Sequence, residues 1–181
     1  KRFAYRGLVE PIDADAFHFG YERNYVADFR KVPAGFSDYG QWLEEKRETI
    51  RKQKRKTRKL EKLHGPLRLE FDSVDPEGFR RIIEWKRRRY QAVKTFDVFS
   101  VRWIEGLLEH LHRNGERLKG CLSILYAGDQ VVSSHLGMRE GRVLHYWFPA
   151  FDPAFSFASP GTALFLAICR EAASRGIDLI D

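Results

Sequence analysis

Apolar positions along this chain follow two periods, and the switches between them divide the sequence into elements. Residues 37–63 carry Tyr39, Trp42, Leu43, Ile50, Leu60 and Leu63 at helical spacing, dense at the start and thin through a polar middle. That pattern predicts one long helix, with Ser37 and Asp38 as capping candidates and Gly65-Pro66 as its stop. Residues 67–71 alternate apolar and polar, as a strand does. Asp75-Pro76-Glu77 then offers a capping side chain, a first-turn proline and an acid near the positive end of a helix dipole. The helix it opens sets Phe79, Ile82, Ile83, Tyr90 and Val93 on one side. Ser100 is expected to cap another, with Val101, Ile104, Leu107, Leu108 and Leu111 buried and Asn114-Gly115 as its end.

The period then becomes two. Residues 118–126, 130–139 and 142–148 read as three strands joined by Ala127-Gly128-Asp129 and Glu140-Gly141, which is hairpin chemistry. After a loop, Pro160-Gly161 opens a helix over about 162–174, Gly176 caps it, and 177–180 form a last strand. A strand–helix–strand crossover places that strand parallel to the third strand of the meander. The order from residue 67 is strand, helix, helix, three-strand meander, helix, strand, an α+β fold on a mixed sheet. We expect a core over 65–181. Residues 1–64 are expected to hold the tail of a preceding lobe plus the long helix, since 1–36 mix aromatics with Gly and Pro without a sustained period.

Composition narrows the class. With 181 residues, 43% hydrophobic and 14% aromatic, the chain is too apolar for a disordered tail. No apolar run approaches the roughly 20 residues of a membrane helix. Cys121 and Cys169 lie far apart inside apolar segments, without metal-ligand spacing; they read as core residues of a cytoplasmic protein. The chain begins at Lys1 and ends in GIDLID, so both ends are expected to be cuts within a longer protein. Net charge is 32 − 25 = +7, yet residues 46–62 alone hold ten cations and two anions, +8, leaving −1 for the remainder. The excess belongs to one helix. It can meet phosphates, although few aromatics interleave for base stacking and a solvated face is the plainer reading.

The segment HYWFPAFDPAFSFASPGTALFLAICREAASRGIDLID resembles the C-terminal half of the GNAT acetyltransferase branch that includes CelD-type proteins of cellulose and exopolysaccharide synthesis. Upstream, RKTRKLEKLHGPLRLEF is similar to that family's basic helix and following strand, WKRRRY to its Trp-Lys…Tyr helix, and LSILYAGDQVVSSHLGMREGRVLHYWF to its meander. The resemblance runs from Ser37 onward and implies a GNAT-like fold. Two departures stand out. Such proteins continue beyond this point with a Gly-containing turn and a Tyr-Lys pair, and SPGT replaces the glycine-rich pyrophosphate loop of typical GNAT enzymes.

Candidate chemistry follows. At Ser159-Pro160-Gly161-Thr162, Pro160 fixes φ and Gly161 clears a path to backbone N–H groups. The hydroxyls of Ser159 and Thr162 add hydrogen bonds, so the pyrophosphate or pantetheine arm of acetyl-CoA is expected there. The structural alternative is a plain helix start. The parallel strand pair is expected to splay near Trp147 and Phe148, freeing backbone groups to polarise a thioester carbonyl. If Glu140-Gly141 is the turn, paired positions sum to 281 and His135 faces Tyr146, a pair suited to proton transfer. His145 then points to the opposite face and is a substrate-contact candidate, and a one-residue slip reverses the choice. Asp152 is a third catalytic candidate, or an ordinary Asp-Pro turn starter. Lys86 and Tyr90, in the Trp-Lys…Tyr match, could contact the acceptor sugar; a solvated basic face is the plainer reading.

The resemblance therefore implies an acetyl-CoA-dependent N- or O-acyltransferase acting on a sugar or amine, within or beside a polysaccharide synthase complex. Two alternatives stay open: a FemABX-type transferase taking aminoacyl-tRNA through the basic helix at 46–62, and a degenerate GNAT lobe that only binds.

Overall fold

The computed structural model describes residues 27–31, 34–37, 39–46 and 48–181. The cap candidate Asp38 and residues 1–26 lie outside them. A six-stranded sheet runs in the order β1 (Ala27–Asp28), β6 (Leu179–Ile180), β5 (Val143–Phe151), β4 (Gln130–Glu140), β3 (Leu118–Ala127), β2 (Leu67–Glu70). Only β5 and β6 pair in parallel; the other neighbours are antiparallel. The expected mixed α+β sheet is thus present, extended by Ala27 and Asp28, which pair with Ile180 and Leu179.

Helices cover both faces. On one side α2 (Glu48–His64) and α5 (Pro160–Ala172) enclose Leu60, Cys121, Leu125, Leu144, Leu164 and Ile168. On the other, α3 (Pro76–Ala92) and α4 (Arg102–Asn114) enclose Phe79, Ile82, Phe99, Leu122, Ile124 and Met138. Residues 118–139 alternate between these two cores, so the period-two pattern carries apolar side chains to both faces of the sheet. The long-helix segment is described as α1 (Tyr39–Lys46) and α2 on either side of position 47, which lies outside the described residues. Ser37 donates through N–H and hydroxyl to Gln41 Oε1, 2.8 Å in each case.

Local chemistry explains most boundaries. Asp75 caps α3, accepting from the N–H groups of Glu77 and Gly78 at 2.9 Å. Gly65 and Gly128 pack backbone to backbone where α2 meets the β3–β4 turn. A Cβ on Gly65 would lie 2.9 Å from Gly128 Cα, and both glycines have positive φ.

Three expectations need correction. Val101, not Ser100, occupies the N-cap of α4; Ser100 belongs to a 3-10 turn capped by Asp97. Val93 closes α3 and is exposed. On α4, Leu107 is 45% exposed while His112 is 6% exposed. The cause is Gly120 on β3: a Cβ there would lie 2.8 Å from the backbone of His112, so the helix closes onto the sheet at that turn and rotates Leu107 outward.

Candidate functional site

Strand β5 organises the chemistry. It pairs with β4 as Glu140↔Val143, Arg139↔Leu144 and Met138↔His145, then as Leu136↔Phe148, so Tyr146 and Trp147 both stand opposite Gly137. This is a β-bulge, which bends the strand and changes the faces its later side chains take. Gly137 permits it. A Cβ there would lie 2.2 Å from the His145 carbonyl oxygen and 2.6 Å from the His135 ring. The expected turn is corrected as well: Glu140 is paired, and the loop is Gly141-Arg142.

The 281 register therefore fails, and His135 pairs with Pro149. Its ring nevertheless stacks on Tyr146, with centroids 3.9 Å apart and planes 5° apart. Phe165 of α5 meets the Tyr146 ring edge-on at 5.4 Å. His135 has no exposed surface, and neither its ring nitrogens nor the Tyr146 hydroxyl has a hydrogen-bond partner among the described residues. Burial pushes the imidazole pKa down to about 3 and raises that of the Tyr146 phenol. The pair is brought together, but as a neutral, sealed stack. Proton exchange with a substrate would require the α5 layer to open.

His145 lies on the other face. Its Nδ1 sits 2.8 and 3.0 Å from the two carboxylate oxygens of Asp181. The parallel ladder sets this contact: Leu144 pairs with Ile180, and Tyr146 N–H donates to the Asp181 carbonyl at 2.9 Å. Asp181 was missed as a functional candidate; the predicted parallel crossover was the available clue, lacking only its register. Trp147 is 49% exposed, with its ring centroid 6.0 Å from that of His145. Phe148 follows, packed on Phe99 at 5.2 Å.

Lys86 reaches this row from α3. Its Nζ is 5.0 Å from the Tyr90 centroid and 5.9 Å from that of Phe148, and no carboxylate among the described residues pairs with it. Lys86 is half-buried rather than fully solvated. Burial, aided by the Arg89 charge, lowers its pKa, and burial raises that of Tyr90. Asp152 stands apart from the row: its Oδ1 accepts from Ala154 N–H at 2.9 Å and caps a 3-10 turn.

The start of α5 is built from two elements. Ser159 is left-handed, φ 49°, and its Oγ accepts from Lys56 Nζ of α2 at 2.7 Å, while Gln53 Nε2 donates to the Ala158 carbonyl at 2.7 Å. The part played by α2 here was missed, because nothing local in sequence joins positions 103 and 105 residues apart. Pro160 is buried, whereas a Cβ on Gly161 would meet no atom within 4 Å. An open helix N-terminus, the Ser159 and Thr162 side chains and an ammonium group together suit a phosphate-bearing arm. Among the described residues no cluster of three or more His, Cys, Asp or Glu could hold a metal ion.

A family model described as an acetyltransferase (GNAT) domain matches residues 45–181. Among solved structures, the chain is similar to the C-terminal domain (DUF2156) of a protein described as a lysylphosphatidylglycerol synthetase from Agrobacterium fabrum. The TM-score is 0.50 and the identity 12%, over 86% of this chain and 44% of that one. It is also similar to a conserved protein of unknown function from Bacteroides thetaiotaomicron, with TM-score 0.47 and 10% identity, over 86% of this chain and 51% of that one. The chain thus spans about half or less of the length of these structures. No curated protein matches it.

Proposed function

The chain belongs to the acetyltransferase (GNAT) family, and from that premise we propose that it is an N- or O-acyltransferase using acetyl-CoA. Its acceptor would be a sugar or amine in bacterial cellulose or exopolysaccharide synthesis, beside a synthase complex. The link to polysaccharide rests on the CelD-like resemblance from Ser37 onward. The observation that carries the donor assignment is the open, cation-flanked start of α5, joined to β5 by the 3-10 segment Pro153–Ala158. Gly161 would offer its backbone N–H to the phosphates and Thr162 its hydroxyl, since the Thr162 N–H already donates to the Ser159 carbonyl at 3.1 Å, and Lys56 would add a positive charge. When bound, the thioester supplies an activated acyl carbon for direct attack by the acceptor. Neither Cys121 nor Cys169 can serve as a covalent nucleophile, since both are buried and burial pushes the Cys121 thiol up to about 12.

Titration calorimetry with acetyl-CoA tests this. Gly161→Val should weaken binding about 10- to 100-fold, the worth of charge-assisted hydrogen bonds blocked at the helix start. Its melting temperature should hold, because the added side chain enters open space. Wild-type chain giving no heat with millimolar acetyl-CoA would end this reading.

A second reading is favoured by one observation: Arg51, Lys52, Lys54, Arg55, Arg58, Lys59 and Lys62 are all exposed on α2. A tRNA-borne donor would use that ridge, and its affinity would fall steeply with salt.

A further inference from the structure

Building on that acyltransferase reading, we propose that His145 is the catalytic base and Asp181 its positioning residue. The carboxylate of Asp181 faces His145 Nδ1 at 2.8 and 3.0 Å. A carboxylate only accepts, so Nδ1 carries the proton and Nε2 keeps its lone pair. The imidazole is accessible, with 21% of its side chain exposed against none for His135. It stands immediately before the bulge, beside the exposed Trp147 and opposite Met138. The contact row through Trp147 and Phe148 leads to Lys86, whose ammonium lacks a carboxylate partner among the described residues. The acceptor accordingly approaches on the α3 face, and Lys86 suits one carrying a carboxylate or phosphate near its nucleophile.

The step balances as follows. The acceptor nitrogen or oxygen forms a bond to the acyl carbon as His145 Nε2 takes its proton. The acyl carbon–sulfur bond breaks with its electron pair on sulfur, and the imidazolium returns the proton to that sulfur. Asp181 stabilises the imidazolium and stays ionised.

Two measurements on the full chain decide this. The first needs no turnover: nitrogen NMR of ring-labelled histidine. His145 should show the Nδ1–H tautomer, lose it in Asp181→Asn, and shift on saturation with acetyl-CoA while His135 does not. An Nε2–H tautomer, or a His145 signal indifferent to bound acetyl-CoA, overturns the assignment. The second follows CoA release with glucosamine, and separately with glucosamine 6-phosphate. His145→Ala should lower kcat by on the order of 10²–10⁴, with KM for acetyl-CoA unchanged and partial rescue by free imidazole. Asp181→Asn should lower kcat about 10- to 100-fold, and Asp181→Glu should recover part of it. Lys86→Met should raise KM for the phosphorylated acceptor alone. Full activity in His145→Ala, or equal loss of acetyl-CoA affinity, overturns the proposal. Absence of acetyl-CoA binding in wild-type calorimetry would instead sink the underlying acyltransferase reading.

Discussion

His135 has a consequence for stability that is separate from catalysis. Its imidazole is held neutral by burial, with a folded pKa of about 3 against an ordinary 6.5. Between those values the unfolded chain binds a proton that the folded chain does not. Stability is therefore complete above pH 6.5 and is lost as pH falls toward 3, at up to about 1.4 kcal/mol per pH unit. His112, also lowered chiefly by burial, acts in the same direction. His135→Phe keeps the stack on Tyr146 and removes two buried nitrogens without partners. We expect a near-neutral effect at pH 7.5 and a flatter decline on acidification, read from urea unfolding at pH 7.5, 5.5 and 4.5. Identical slopes in variant and wild type would contradict the buried neutral ring. At this scale the sequence identified the aromatic pair but not its surroundings. The expected 281 register failed first because the loop is Gly141-Arg142, which sets paired positions to 283, and then because Gly137 lets two residues oppose one and shifts them to 284, an approach that leaves no periodic trace.

At the level of elements, Gln53 and Leu60 are the buried groups of α2 among the described residues, so each matters. Gln53, 3% exposed, donates to the Ala158 carbonyl, and Leu60 is fully buried. Gln53→Ala should cost about 1–3 kcal/mol, since it strands a buried acceptor. It should also speed amide exchange at residues 159–162; unchanged exchange there would show that α2 does not brace the start of α5. Helix starts with a side-chain cap, such as Asp75, were legible because the cap and its donors are neighbours in sequence. The buried arc of α4 was not, because Gly120 on β3 decides how closely that helix seats. The same distinction separates the candidate groups: SPGT was visible as a local motif, whereas the contacts of Lys56 with Ser159 and of His145 with Asp181 exist only through tertiary register.

For the molecule as a whole, the meander and the parallel place of the last strand were legible in the turn pairs and the crossover rule, whereas the two-core layering and the edge place of β2 emerged only with the fold. The joining of Ala27 and Asp28 to the sheet edge was not legible either, since two residues carry too little pattern. The charge arithmetic has a further effect. Residues 46–62 carry +8 and the remainder −1, so the positive charge is concentrated in one segment rather than spread evenly along the chain. A sulfonate chromatography resin binds through the densest patch rather than the mean charge. The chain should elute later than an evenly charged +7 protein, and Arg55→Gln should shift elution more than Arg117→Gln, an exposed cation far from the ridge in sequence. Close to any polyanionic sheet the same asymmetry would turn the molecule, so that it lands α2 first and brings the adjoining tip of α5 down with it.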